Sequence, residues 1–150
     1  MRFAIRIDPI WRALVLCGGA TRDNAFVEVT DEAVTFHFGL LFLRTIPRDE
    51  IVAVESRHWP LLMGIGWRSD LRGTIGLIGS YEGVVEVRLA SRSRVWFIFP
   101  CDRICVSLED PNGFMGALQP RPAEAPPAGA PRRNGRRRAR GAGRPRPQRA

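Results

Sequence analysis

Residues 26–39 read FVEVTDEAVTFHFG, and their alternation decides the class of fold. Val27 and Val29 fall on one side of an extended chain, with Glu28 and Thr30 on the other. After Asp31-Glu32 the pattern resumes: Val34, Phe36 and Phe38 share a face, and Thr35 and His37 lie opposite. A period of two marks a half-buried strand, and two polar residues between such runs mark a tight turn. The stretch therefore predicts a β-hairpin that Gly39 ends.

Working outward, the same period recurs. LLFLRTIP (40–47) leads into EIVAVESR (50–57), and Pro47, which cannot donate to a ladder, marks a strand end or an edge. Further strands are predicted at GTIGLIG (73–79), VVEVRLA (84–90), RVWFIFP (94–100) and ICVSL (104–108), joined by SYEG, SRS and CDR. In RVWFIFP, Val95, Phe97 and Phe99 form one face and Trp96 and Ile98 the other, which predicts a strand apolar on both sides or an exposed aromatic. HWPLLMGIGWRSD (58–70) is irregular and reads as a short helical turn or a loop over the sheet. The period then changes. Asp110 suits an N-cap, Pro111 suits the first helical position, and Phe114, Met115 and Leu118 form one stripe, so residues 111–118 are predicted as a helix.

The net charge of +8 on 150 residues is unevenly spread. Residues 119–150 hold ten Arg against Glu124 alone, and residues 1–118 hold thirteen Arg against fourteen Asp and Glu. The body is thus nearly neutral, and the basic character belongs to the tail. With Pro, Gly, Ala and Arg and no large apolar residue, that tail cannot bury enough surface to offset its ordering entropy, and it is predicted to be disordered. Cys17, Cys101 and Cys105 are too few and too unevenly spaced for a disulfide framework or a zinc site, so free thiols and no metal are expected. Arg6, Asp8, Pro9 and Arg12 interrupt the N-terminal apolar residues before a signal-peptide core can form. No stretch approaches the roughly 20 apolar residues of a spanning helix. The chain reads as cytoplasmic, with a peripheral contact at a membrane surface left open.

VTDEAVTFHFG (29–39), TIPRDEIVAVES (45–56) and SLEDPNGFMGAL (107–118), where Glu-Asp-Pro opens the closing helix, resemble bacterial pleckstrin-homology-like (PH-like) domains. MGIGWR followed by GLIGSYEGVVEV is similar to a family of small proteins from GC-rich, actinobacterial-type genomes. The resemblance implies a mainly β fold: a bent antiparallel sandwich or barrel of about seven strands with one C-terminal helix. The corresponding organisation is an extended segment packing on the domain (1–19), a PH-like β domain (20–118) and the tail (119–150). PH-like domains bind lipid head groups or peptides, or act as scaffolds. The basic first turn of the lipid-binding members is not matched, since Asp31-Glu32 stands there.

Six of the fifteen glycines fall within GIGWRSDLRGTIGLIGSYEG (64–83). A dinucleotide fingerprint needs its glycines between a strand and a helix, and a P-loop needs a Lys. This chain has no Lys, and a strand follows Gly83, so the glycines are read as bends in a coiled sheet and no cofactor is expected. His37 and His58 have no nucleophile paired with them by pattern, and a non-catalytic protein is expected, with a small enzyme as the weaker reading. Trp59, Trp67, Arg68 and Arg72 are the candidate ligand- or partner-binding residues, because Trp and Arg dominate interface hot spots and also suit anionic head groups. The competing reading buries the tryptophans at one end of the fold and makes Arg68, Asp70 and Arg72 local salt bridges. In the tail, Arg132, Arg133, Arg136, Arg137, Arg138 and Arg140 are candidates for non-specific anion binding. The functional expectation is a binding or scaffolding module that meets a protein partner or an anionic membrane surface. The alternative is a nucleic-acid-associated protein acting through its Arg-rich tail.

Overall fold

The computed structural model describes residues 1–119, and the expectations for 120–150 lie outside them. Strand β1 (Arg2–Ala4) opens the chain. A 3-10 turn at Pro9–Trp11 then leads into the short helix α1 (Arg12–Cys17). Residues 1–19, expected to be extended, thus carry a short helix after an extended piece and end in a turn at Gly18 and Gly19. The strands β2 (Ala25–Val29), β3 (Ala33–Phe38) and β4 (Phe42–Pro47) follow, and with β1 they make an antiparallel sheet in the order β1-β2-β3-β4. The register puts Val27 opposite Phe36 and Val29 opposite Val34. Val27, Val29, Val34, Phe36 and Phe38 therefore form one buried face, as their alternation requires.

The second sheet contains β5 (Ile51–Ser56), β6 (Gly66–Ser69), β7 (Thr74–Ile78), β8 (Val84–Val95) and β9 (Phe99–Ser107), in the order β5-β8-β9-β7-β6. Helix α2 (Pro111–Leu118) closes the described chain. The fold is mainly β, with two sheets and a C-terminal helix. The strands among the described residues number nine, where about seven are expected from the sequence. The additions are β1, β4 within LLFLRTIP, and β6 within the irregular 58–70 segment, and the strand expected at 94–100 is lost.

Two further departures have a topological cause. The sheets do not close into one barrel, because β4 and β5 follow one another in the chain without pairing. Nor is the structure antiparallel throughout: β7 pairs with β9 in parallel, Ile75 beside Ile104. β9 returns antiparallel to β8 and inserts between β8 and β7, so it must run with β7.

The N-terminal segment ties the sheets together. Ile5 bridges Leu108 and Ile7 bridges Gly79, beyond the ends of the paired strands. Arg6 N–H donates to the Ser107 carbonyl at 2.9 Å, and the buried Ser107 hydroxyl donates back to the Arg6 carbonyl at 3.1 Å. One apolar core draws on both sheets, the Ile5–Ile7 segment and Phe114 of α2. Helix α2 starts where the sequence places it: Asp110 Oδ1 accepts the Gly113 N–H at 2.9 Å, the N-cap bond. Phe114 packs edge-on against Phe3, ring centroids 5.4 Å apart.

RVWFIFP is not a strand. β8 runs through the predicted SRS turn to Val95, and the chain reverses at Trp96, Phe97 and Ile98 before β9. Trp96 and Phe97 hold φ of 49° and 62°, the left-handed region that reverses a hairpin and that Gly or Asn usually fill. No turn-forming residue marks the spot, which is why alternation alone reads straight through it.

Candidate interaction surface

The glycine-rich stretch supplies the β6–β7 hairpin, Gly66 opposite Ile78 and Ser69 opposite Ile75. One side chain organises its turn. Asp70 Oδ1 accepts the N–H groups of Arg72 at 2.8 Å, Gly73 at 2.9 Å and Thr74 at 2.8 Å. Burial pushes the Asp70 carboxyl up, but the hydrogen bonds from Thr74, Arg72 and Gly73 outweigh it and hold the group below its usual value. The Arg68–Asp70–Arg72 salt bridges of the competing reading are therefore replaced by a backbone cradle. Among the described residues Arg68 and Arg72 make no ion pair.

The four candidate residues of 59–72 separate. Trp59 is 2% exposed: its ring lies on β7, where a Cβ at Gly76 would come within 2.5 Å of its Cη2, and its Nε1–H donates to the Gly64 carbonyl at 2.9 Å. It is a core residue, with Gly76 as the seat that lets the indole approach the backbone. Trp67 is half-buried, while Arg68 and Arg72 are exposed. The Arg68 guanidinium packs beside Gly64, and the Arg72 carbonyl accepts from Arg92 of β8.

What covers Trp67 comes from a part of the chain that sequence reasoning left out of the site. Trp96 stacks on it with ring centroids 5.1 Å apart and planes 16° from parallel, and Phe99 meets it edge-on at 5.0 Å. Strand register alone forbids this in a straight hairpin. Trp67 lies opposite Leu77, and Leu77 beside Val106, seven residues along β9 from Phe99. At about 3.3 Å per residue that is about 23 Å. The distal hairpin, Ser93 to Cys101, must fold back towards β6.

The hinge is visible in the register. β8 and β9 pair regularly up to Arg88↔Arg103 and resume at Ser93↔Cys101, so residues 89–92 face Asp102 alone. A bulge of this kind bends a strand and coils it strongly. The folded arm is tied to both sheets: Ser93 Oγ takes a hydrogen bond from Arg44 of β4 and donates to the Cys101 carbonyl at 3.2 Å, and Val95 and Cys101 are buried.

The arm leaves its tip in solvent. Trp96 is 48%, Phe97 92% and Ile98 74% exposed. Holding bulky residues in the left-handed region costs about 1–3 kcal/mol each. The arm and the β6–β7 hairpin carry several arginines. Arg94, like Arg68 and Arg72, makes no ion pair among the described residues, and Arg92 and Arg103 share Asp102 at 3.4 Å and 3.1 Å. At the root of the arm a hollow of about 320 Å³ is lined by Arg88, Arg92, Asp102 and Arg103.

Elsewhere the polar groups serve structure. Glu86, 2% exposed, is neutralised by Arg57 and by Arg88 Nε at 3.0 Å. His37 stacks on Phe26, ring centroids 4.3 Å apart, and no side-chain hydrogen bond joins His37 or His58 to a described residue. Among the described residues no three His, Cys, Asp or Glu side chains gather as metal ligands would. No described helix is long and apolar enough to cross a membrane. Comparison of the chain with protein-family models, with curated proteins and with solved structures finds no match.

Proposed function

We propose that this protein is a non-catalytic binding module on a PH-like layout, and that it meets its partner through the surface formed by Trp67, Arg68, Arg72 and the folded arm at Trp96–Ile98. One observation carries the reading: a contiguous run of three large apolar side chains is held in solvent, and Arg94, two residues before Trp96, has no carboxylate partner among the described residues. Exposed apolar groups rimmed by polar ones mark interaction sites, and an aromatic flanked by Arg is the composition of a hot spot. Trp59 supports this surface from beneath and does not take part in it.

The PH-like assignment is supported by two sheets and a closing C-terminal helix. Nine strands and the parallel β7–β9 pair are variations that this assignment has to accommodate. The acidic Asp31-Glu32 turn argues against head-group binding there and moves the contact to the arm. The tail arginines Arg132, Arg133, Arg136, Arg137, Arg138 and Arg140, outside the described residues, add non-specific attraction to anionic partners that weakens as salt rises.

Residues 1–119 form one compact unit with a core of its own, so a chain ending at Gln119 tests the surface without the tail. Both chains are titrated with anionic vesicles, RNA and duplex DNA over a salt series. The proposal expects the short chain to retain one partner and to lose it on Arg68→Glu or Phe97→Asp. Loss of all binding on truncation would make the tail the functional element and favour nucleic-acid association.

A further inference from the structure

We infer that the folded arm is a membrane wedge: Trp96, Phe97 and Ile98 enter the interface of an anionic phospholipid bilayer while Arg68, Arg72 and Arg94 lie against its phosphates. The inference rests on the proposed binding surface and names its occupant.

Three features of the arm point to a bilayer. Its apolar end is convex and short, and its most exposed side chains, Phe97 and Ile98, stand at the reversal itself, so they lead whatever approach the arm makes. A partner groove would need a shaped receptor for them; the fluid boundary between head groups and acyl chains needs none, and Trp with large apolar residues favours that layer. The arm is also preorganised. Trp96 is fixed by its stack on Trp67, Phe99 buttresses both, and Ser93 is tied to Arg44, so little freedom remains to be lost on insertion.

The third feature is charge. Asp102 is shared by Arg92 and Arg103, and Asp70, held by three backbone N–H groups, keeps its negative charge. Arg68, Arg72 and Arg94 make no ion pair among the described residues and outnumber Asp70, so the charge they leave is positive and complementary to a surface of lipid phosphates.

The full chain is sedimented with phosphatidylcholine vesicles and with mixed phosphatidylcholine–phosphatidylglycerol vesicles at low salt. Tryptophan emission is recorded with and without bromine on the acyl chains. Expected are binding to the mixed vesicles, a blue shift, and quenching by the brominated chains that Trp96→Phe largely removes. The double variant Phe97→Gly/Ile98→Ser places glycine at a left-handed position and serine at an exposed one, so its circular dichroism should be unchanged. Its partition into mixed vesicles should fall about a hundredfold or more, the loss of two buried apolar side chains. Equal binding by that variant, or binding without quenching, overturns the wedge and leaves adsorption by charge alone. If vesicles are not bound, but the variant loses RNA or turns a dimer into a monomer, the surface stands and its lipid assignment falls. If the variant alters none of these, both fall.

Discussion

The Asp70 carboxylate holds three consecutive N–H groups of a turn that would otherwise face solvent unpaired by protein. Removing it by Asp70→Ala should lower unfolding stability by about 1–2 kcal/mol. The group's folded value lies below its unfolded one, so its contribution is present above the unfolded value and disappears as pH falls through the folded value. The window therefore opens below about pH 4. Denaturant unfolding of the native chain and Asp70→Asn should show a larger gap at about pH 7 than at about pH 3, and a constant gap would refute the linkage. The same residue scale explains why Arg68 and Arg72 are free for a ligand. From spacing alone they read as partners of Asp70, because sequence shows which charges are near in the chain but not that backbone donors have claimed the carboxylate. Trp59 and Trp67 were equally indistinguishable. Both stand in one irregular apolar stretch, and only the packing of Trp59 on Gly76 makes it core.

At the scale of elements, close approach decides more than propensity. Gly76 sits in a strand whose residues are all buried, and the Trp59 indole takes the space a Cβ would need. Gly76→Ala should cost about 1–3 kcal/mol through this overpacking, read from denaturant midpoints, and Trp59→Leu in the same chain should recover part of it. Full additivity of the two substitutions would show that the contact is not the cause. The elements legible in sequence were those whose signals are local. The β2–β3 hairpin has its alternation and polar turn, and α2 has Asp110 and Pro111. The β8–β9 arm was not legible, for an equally physical reason. Its turn is built from Trp and Phe instead of Gly or Asn, and its fold-back follows from a bulge whose four residues without their own partners on β9 carry no common signature.

For the molecule as a whole, the insertion of β9 between β7 and β8 places Cys101 and Cys105 at the centre of the core and leaves Cys17 at the surface, at the end of α1. Burial pushes the Cys101 thiol up, though Arg44 draws it back in part. Burial likewise pushes Cys105 up to about 11, against the opposing effect of Arg57 and Arg103. A thiol-specific reagent near neutral pH should therefore modify one cysteine quickly and the other two only when guanidinium unfolds the chain, since the thiolate is the reactive form. Three equal rates would contradict the placement of β9. By itself the sequence determined a mainly β body with a closing helix and a separate arginine-rich tail, because alternation, capping and charge are properties of neighbours in the chain. Only the tertiary structure decided which tryptophan is core, which strands run parallel and which residues form the exposed surface. Those depend on contacts between Trp67 and Trp96 or Arg44 and Ser93, groups far apart in sequence that a bulge and an inserted strand bring together.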